Sequence, residues 1–247
     1  MPRYGRPSTI GYSFGPGPIS PAVKWIIIAN VALFIARFVY SPLIVLLGLV
    51  PRDVIERQFV WQPITYMFMH ADMFHVLFNM LGIWMFGVEL ERMWGTRQFV
   101  KYYAVTGIGA AFTTLTFALL PFGFSSLMYA SVTVGASGAL YGLLLAFALY
   151  FPERPILMFL LFPIPAKYFV MIIGAISFLS SIDGAGGGIA HAAHLGGLVV
   201  GYLYLKGGRG GIGAEMKYRY LKWKMNRLRR KFDVYSGGRS DWDRHVH

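Results

Sequence analysis

The stretch HAAHLGGLVVG, residues 191–201, has the composition of a helix buried in a membrane. Alanine, leucine, valine and glycine fill nine of its eleven positions. The other two are histidines, His191 and His194, which lie three positions apart. A titratable side chain in hydrocarbon is costly and usually functional. The stretch therefore predicts a membrane-spanning segment that carries a reactive group.

Apolar blocks of similar length recur along the whole chain. Hydrophobic residues make up 56% of the sequence and charged residues 14%, which is too apolar for an ordinary soluble domain. Spanning a bilayer takes about 20 mainly apolar residues. Six blocks fit that requirement: 22–41, 73–94, 99–120, 132–151, 156–180 and 187–206. Because lipid does not tolerate an open sheet edge, we expect an all-α polytopic membrane protein with a bundle of six transmembrane helices.

The two ends of the chain differ from its apolar middle. Residues 1–20 are rich in glycine and proline and lack the apolar region and cleavage site of a signal peptide, so a disordered tail is predicted. Residues 21–206 form the predicted membrane domain, and residues 207–247 form a basic tail. The sequence contains no cysteine, which excludes disulfides, thiolate catalysis and cysteine-based zinc sites.

Lys and Arg are concentrated in particular connections of a chain whose net charge is +12. They occur in the N-terminal flank, the second and fourth connections and the C-terminal tail. The third connection, 121–131, has no charge, and the fifth has only Asp183. By the positive-inside rule, both termini are predicted to be cytoplasmic.

The tail from Lys206 onward carries a net charge of +8. This charge favours contact with an anionic lipid leaflet over binding to nucleic acid, because the tail is already tethered at the lipid surface. A solvated tail that only sets the topology is the open alternative.

The first outer connection, about 41–72, is long, half apolar and interrupted by Pro42, Pro51 and Pro63. Proline breaks a helix, so this connection is too interrupted to span a bilayer. We expect short helices in the outer interface, with Trp61 and Tyr66 as aromatic anchors.

Three polar side chains on three different blocks are predicted to lie at one depth. By the predicted topology, blocks two, four and six all run from outside to inside. Asn79, Ser137 and His194 each follow the outer end of their block by about five to seven residues. At ~1.5 Å per residue, each lies on the order of 8–10 Å below the outer edge. The coincidence predicts a polar site that opens toward the outside.

Ser137 and His194 have the chemistry of a nucleophile and its base. A triad would need a third, orienting carboxylate, but Asp183 precedes His194 by about 16 Å of helix, so a dyad is predicted. The side chains of His75 and Asn79, four residues apart on one helix face, can donate to an oxyanion. Backbone N–H groups early in the fourth block can do the same.

Tyr141 and four glycines are predicted to hold the dyad together. Tyr141 lies one turn after Ser137, where its ring can press on His194. Gly138 and Gly142 in the fourth block, and Gly197 and Gly201 in the sixth, are spaced four apart. This spacing lets helix backbones approach closely in membranes, as a bond between Ser137 and His194 requires.

Three motifs together resemble the rhomboid intramembrane serine proteases. They are GASGALYG (135–142), AHAAHLGGLVVG (190–201) and HADMFHVLFNMLGIWMFGVELER (70–92). Their order and spacing on three predicted helices make the resemblance specific, and it covers about residues 55–206. It implies a protease that needs no cofactor and no metal, with Ser137 as nucleophile and His194 as base. The implied substrate is a single-span membrane protein that is cut near the outer face.

The resemblance also assigns supporting roles. His75 and Asn79 resemble the oxyanion donors, and Tyr141 resembles the residue that stacks on the base. His70 matches a structural histidine, and His191 is expected to be a supporting polar contact. Two charged residues, Glu89 and Arg92, resemble the structural end of that helix. Gln62 departs from the family, in which Trp-Arg is common at this place. The expected location is the bacterial inner membrane.

Two alternatives remain open at this point. Four histidines (His70, His75, His191 and His194) could converge on a metal ion with carboxylate help. The sequence has no H-E-x-x-H motif, and a metal site would leave Ser137 and Asn79 without a purpose. The second alternative is a non-catalytic rhomboid-like protein that binds membrane clients. Loss of the serine or the histidine would mark that class, and this sequence keeps both.

Overall fold

The computed structural model describes residues 15–121, 125–158, 162–182 and 188–207, together with Met225. The expectations for the N-terminal tail before residue 15, for Asp183 and for most of the basic tail therefore lie outside the described residues. The chain divides into two compact units, residues 1–204 and 205–247. The side-chain contacts described below lie within the first unit, which is mostly helical.

Among the residues that the structure describes, three helices are long and apolar enough to cross a membrane. They are α1 (Pro21–Val39), the continuous helix Met73–Trp94, and α7 (Thr96–Leu119). The continuous helix consists of α5 (Met73–Gly82), a π-helical segment (Ile83–Gly87) and α6 (Val88–Trp94). Asp72 caps its start by accepting a hydrogen bond from the backbone N–H of His75 at 2.8 Å, which satisfies one free donor of the first turn.

The connection between α1 and α5 contains short helices, as its prolines predict. They are α2 (Leu43–Leu47), α3 (Pro51–Glu56), α4 (Gln62–Thr65) and a 3₁₀ turn (Tyr66–Phe68). Gln62 is fully buried, accepts from the N–H of Val50 at 2.9 Å and donates to the carbonyl of Val45 at 3.0 Å. The side chain of Gln62 thus joins α4 to the backbone on either side of Gly48 by hydrogen bonds.

Tyr66 is not an interfacial anchor, and that prediction was wrong. Its ring is 1% exposed, and its hydroxyl donates to the carbonyl of Gly107 in α7 at 2.7 Å. A buried tyrosine hydroxyl needs such a partner, and α7 supplies it. Trp61, in contrast, stays 39% exposed, and its indole N–H donates to the carbonyl of Leu46.

The fourth apolar block becomes helical later than its hydropathy predicts. After α8 (Ser125–Ala130), Thr133 pairs with Leu49 as an isolated β-bridge, and α9 spans Ser137–Tyr150. Gly135 has φ +120, a backbone conformation that favours glycine. This turn delays the helix, so Ser137 is its first residue and not a residue about one and a half turns inside it.

A β-hairpin replaces the start of the fifth predicted helix, while the fold remains mostly helical. Strands β1 (Pro155–Met158) and β2 (Phe162–Pro165) are antiparallel, with Ile156 opposite Ile164. The physical reason is the prolines at 155, 163 and 165, which cannot belong to a helix interior. Helix α10 then spans Ala166–Ile182, and α11 spans Gly188–Gly207.

Glu91 joins the end of α6 to the start of α1. Its carboxylate is 3% exposed and accepts hydrogen bonds from four groups. These groups are the Ser20 hydroxyl, the backbone N–H of Ala22, the backbone N–H of Val23, and the Thr96 hydroxyl. The free N–H groups of the first turn of α1 are thereby satisfied by another helix, and the negative charge lies at the positive end of the helix dipole.

Candidate active site

The side chains of Ser137 and His194 meet across α9 and α11. The Oγ of Ser137 lies 2.9 Å from the Nε2 of His194, which is a hydrogen-bonding distance. The serine is the first residue of α9, and the histidine lies in the second turn of α11. A hydroxyl bonded to an imidazole is the arrangement in which a base activates a nucleophile.

The ring of Tyr141 lies flat on the imidazole of His194. The ring centroids are 4.2 Å apart and the planes are inclined by 6°. The Nδ1 atom of His194 is buried and has no hydrogen-bond partner among the described residues. In a triad this nitrogen donates to a carboxylate, which sets the ring's orientation. Here the stacking ring of Tyr141, the Ser137 hydroxyl and the edge of the His191 ring contact the imidazole instead.

Glycines bring the two helices close enough for this bond. A Cβ added at Gly197 would lie 1.9 Å from the carbonyl oxygen of Gly138, and one added at Gly201 would lie 3.3 Å from the Cα of Gly142. The two glycine pairs therefore face each other, and the backbones touch where larger side chains would separate them.

His75 and Asn79 approach the serine from α5. A Cβ added at Gly135 would lie 2.6 Å from the Nε2 of His75 and 3.7 Å from the Oγ of Ser137, so the imidazole edge lies beside the serine. The amide nitrogen of Asn79 donates to the carbonyl of His75 at 2.8 Å. This bond uses one of its two N–H groups and leaves the other for a ligand.

His70 and His191 lie behind these residues as ring neighbours. His70 is fully buried and meets His75 edge to face with centroids 5.0 Å apart, and His191 meets His194 in the same way at 5.6 Å. Arg37 donates to the backbone carbonyls of His70 and Ala71. Burial, and next the nearby His75, lower the pKa of His70 to about 4, so this histidine is neutral at physiological pH.

A metal centre gains no support from the described residues. Among the parts of the chain that the structure describes, no three His, Cys, Asp or Glu side chains lie close enough together to hold a metal ion. The four histidines form two edge-to-face pairs, His70 with His75 and His191 with His194.

Sequence reasoning missed two residues that the structure ties to this site or its scaffold. The sequence hints only weakly at Glu91. Ser20 and Pro21 mark the start of a helix, whose free backbone N–H groups need hydrogen-bond acceptors. Ser177, in α10, donates to the hydroxyl of Tyr141 at 3.2 Å. The sequence does not mark Ser177 as a site residue, because a lone serine in an apolar helix usually bonds its own i−4 carbonyl.

The Rhomboid domain family matches residues 57–208, more than half of the chain. This chain belongs to the rhomboid family. The match contains Ser137, His194 and all the residues that surround them. Membership of the rhomboid family, together with the long apolar helices, makes this chain an integral membrane protein.

Several rhomboid relatives align with more than half of this chain. Rhomboid protein 1, mitochondrial, of Saccharomyces cerevisiae is 34% identical over 142 residues, which are 56% of this chain and 38% of the yeast protein. Rhomboid protease AarA of Providencia stuartii is 30% identical over 151 residues, 58% of this chain and 54% of the relative. Rhomboid protease GlpG of Salmonella choleraesuis is 27% identical over 190 residues, 72% and 60% of the two chains. This rhomboid chain thus spans less than two thirds of each relative's length.

Proposed function

We propose that this protein is an intramembrane serine endopeptidase in which Ser137 is the nucleophile and His194 is its base. The observation that carries the proposal is the 2.9 Å separation of the Ser137 Oγ and the His194 Nε2. Two of the relatives, Rhomboid protease AarA and Rhomboid protease GlpG, are named as proteases, which agrees with this activity.

The reaction follows from these atoms. The Oγ of Ser137 attacks the carbonyl carbon of the scissile peptide while the Nε2 of His194 takes the hydroxyl proton. The tetrahedral oxyanion is stabilised by the His75 side chain, the second amide N–H of Asn79 and first-turn N–H groups of α9. His194 returns the proton to the leaving amine, and a water molecule then hydrolyses the acyl ester by the same route.

The length of α9 supports cleavage below the membrane surface. Its 14 residues extend about 21 Å, whereas the hydrocarbon core is about 30 Å thick. If the Tyr150 end reaches the cytoplasmic interface, Ser137 lies about 9 Å below the outer one. This depth fits a substrate that is itself a single-span membrane protein, cut near the outer face.

The membrane arrangement that goes with this proposal has six transmembrane helices and cytoplasmic termini. The membrane domain comprises residues 21–206, and the tail from 207 lies on anionic lipid of the cytoplasmic leaflet. The distribution of Lys and Arg supports this orientation. Glu89 pairs with Arg154 at 3.0 Å, and Arg92 binds the carbonyl of Pro18 at 2.7 Å. The basic N-terminal flank and the second and fourth connections therefore share one end of the bundle. We assign this protein to the bacterial inner membrane.

The test is cleavage of a model single-span substrate after reconstitution of the full chain in lipid. We expect Ser137→Ala and His194→Ala each to abolish cleavage, because each removes one member of the reacting pair. Activity is measured by the appearance of the two fragments. Cleavage that survives Ser137→Ala would refute the proposal.

His191→Ala is the matched control in the same helix. His191 contacts the base only through a ring edge, at 5.6 Å between centroids, so measurable cleavage is expected to remain. Excess chelator is the second control, and a serine dyad is expected to be indifferent to it. Inhibition by the chelator would support the metal alternative instead.

A further inference from the structure

The imidazole of His194 needs a contact that fixes the plane of its ring. Proton transfer to the Nε2 requires that this plane point at Ser137. Because the Nδ1 lacks a hydrogen-bond partner among the described residues, no carboxylate or carbonyl there sets the rotation of the ring. The parallel ring of Tyr141 restricts it instead. The orientation of the base therefore depends on what holds Tyr141.

Tyr141 is held by its hydroxyl, at the end of the ring away from the backbone. The Oγ of Ser177 lies 3.2 Å from this hydroxyl and donates to it. Ser177 is 0% exposed, so water reaches this bond only from the side of the half-buried Tyr141. A phenol ring fixed at both its Cβ and its hydroxyl cannot swing away from the imidazole.

The alternative for a buried serine in an apolar helix is a bond to its own helix. Ser181, one turn later in α10, does this: its hydroxyl donates to the carbonyl of Phe178 at 2.7 Å. Ser177 reaches across to α9. The two serines therefore differ in their partner while sharing helix, residue type and burial.

We propose that Ser177 is a positioning residue that orients the base of the dyad through the ring of Tyr141. The proposal rests on the proposed function, since it assigns Ser177 a part in the same reaction. The chain of contacts runs from the Ser177 hydroxyl to the Tyr141 hydroxyl, and from the tyrosine ring to the imidazole of His194. Ser177 itself touches neither reacting atom.

This arrangement connects the base to the position of α10. A cavity of about 390 Å³ lies between α10 and α5, lined by Ile172 and Ile176 on one side and Phe78 and Leu81 on the other. Ile176 directly precedes Ser177. Because hydrogen bonds weaken quickly beyond the usual range of about 3.5 Å, a small outward displacement of α10 would release the hydroxyl of Tyr141.

The experiment is a double-mutant cycle on the purified full chain in detergent. The rate of covalent labelling of Ser137 by a small fluorophosphonate probe is measured for the wild type, Ser177→Ala, Tyr141→Phe and the double variant. Such a probe reports the reactivity of the dyad without entry of a membrane substrate. Tm is measured for each variant, and Ser181→Ala is the matched control.

We expect Ser177→Ala and Tyr141→Phe each to lower the labelling rate about three- to tenfold, the range for loss of one hydrogen bond. The double variant is expected to be no slower than either single variant, because both remove the same bond. Ser181→Ala is expected to label within about twofold of the wild type, as the loss of a bond within one helix leaves the dyad in place.

Two results would overturn the proposal. One is a labelling rate of Tyr141→Phe equal to that of the wild type. The other is a double variant whose fold-decrease in labelling rate is the product of the two single decreases. If Ser177→Ala lowers Tm, the labelling rate of Tyr141→Phe still tests the proposal, because this variant removes the hydrogen bond to Ser177 and keeps the ring that stacks on His194. Failure of the proposed function gives a different pattern, in which the wild type is unlabelled or Ser137→Ala is still labelled.

Discussion

At His194, the proposed base, an aromatic ring lies against the imidazole, which in a serine triad is oriented by a carboxylate. A carboxylate both orients the imidazole and stabilises the imidazolium that forms during catalysis. Under the proposed function, Tyr141, with its ring 4.2 Å from the imidazole, would orient the base, and the face of its π system attracts a cation. A neutral ring carries no full charge into the membrane, where an unpaired carboxylate would be expensive.

Most of the residues of the site could be predicted because their types are rare in apolar segments. Ser137, His194 and Asn79 stand out from their surroundings, and helical spacing places Tyr141 above the dyad. Ser177 could not be predicted. Whether a buried serine bonds its own helix or a neighbouring helix depends on how α10 packs on α9. A single sequence does not contain that information.

His70 predicts an acid sensitivity of folding. Its pKa is about 4 in the folded protein, against 6.5 ordinarily. Between these values the unfolded chain binds a proton that the folded protein does not bind. The stability that depends on a neutral His70 is therefore fully present above about pH 6.5 and is lost as the pH falls toward 4. We expect Tm to fall across this window, and to fall less steeply in His70→Phe, which keeps a ring of similar size.

The measurement is thermal unfolding in detergent at half-unit steps of pH. Two neighbouring charges act on His70 in opposite directions, since Asp72 raises its pKa and Arg37 lowers it, both less than burial does. Equal slopes of Tm against pH in the wild type and His70→Phe would contradict the assignment of the sensitivity to this residue.

At the scale of elements, hydropathy located the long helices and missed two boundaries. The helices Pro21–Val39, Met73–Trp94 and Thr96–Leu119 coincide with three apolar blocks. Apolarity does not predict the β-hairpin at 155–165 or the late start of α9, because strands, turns and helices in this protein are all apolar. Proline spacing and Gly135 contain the missing information, because both restrict the backbone directly.

The contact between α9 and α11 predicts a strong effect of one methyl group. In Gly197→Ala the new Cβ would lie 1.9 Å from the carbonyl oxygen of Gly138, so the helices must move apart. We expect a stability loss of about 1–3 kcal/mol from overpacking. We expect the rate of cleavage to fall by about tenfold or more, because the distance between the Ser137 Oγ and the His194 Nε2 increases as the helices separate. Substrate cleavage and Tm measure the two effects.

Gly174→Ala in α10 is the control for this substitution. The nearest atom to its new Cβ is the Cδ1 of Leu198 at 3.4 Å, an ordinary contact. Alanine is favoured over glycine in a helix by about 0.5–1 kcal/mol, so unchanged or slightly raised stability is expected. If both alanines behaved alike, close approach of α9 and α11 would not be the cause.

At the scale of the molecule, Glu91 joins distant parts of the membrane domain at one end. Glu91→Gln keeps the shape of the side chain but leaves one acceptor oxygen where the carboxylate has two. Hydrogen bonds to charged groups contribute about 1.5–3 kcal/mol each, so we expect unfolding to become easier by about 2–3 kcal/mol. Denaturant unfolding in detergent or lipid measures this change.

Two comparisons sharpen this prediction. Glu89→Gln breaks the partly exposed pair with Arg154, and such pairs contribute at most about 1 kcal/mol. Turnover per folded molecule is expected to stay unchanged in Glu91→Gln, because about 24 Å of helix separates Glu91 from His75. A large loss of turnover without loss of stability would contradict a purely structural role.

The cap on α1 also sets an order of events during synthesis. Glu91 follows Ser20 by 71 residues in the chain, so the first turn of α1 waits for its acceptors while that stretch is translated. At about 5–20 residues per second, the wait is on the order of ten seconds. Until then the N–H groups of Ala22 and Val23 need water or lipid head groups as partners. We therefore expect the start of α1 to stay at the membrane surface while residues up to Glu91 are synthesised.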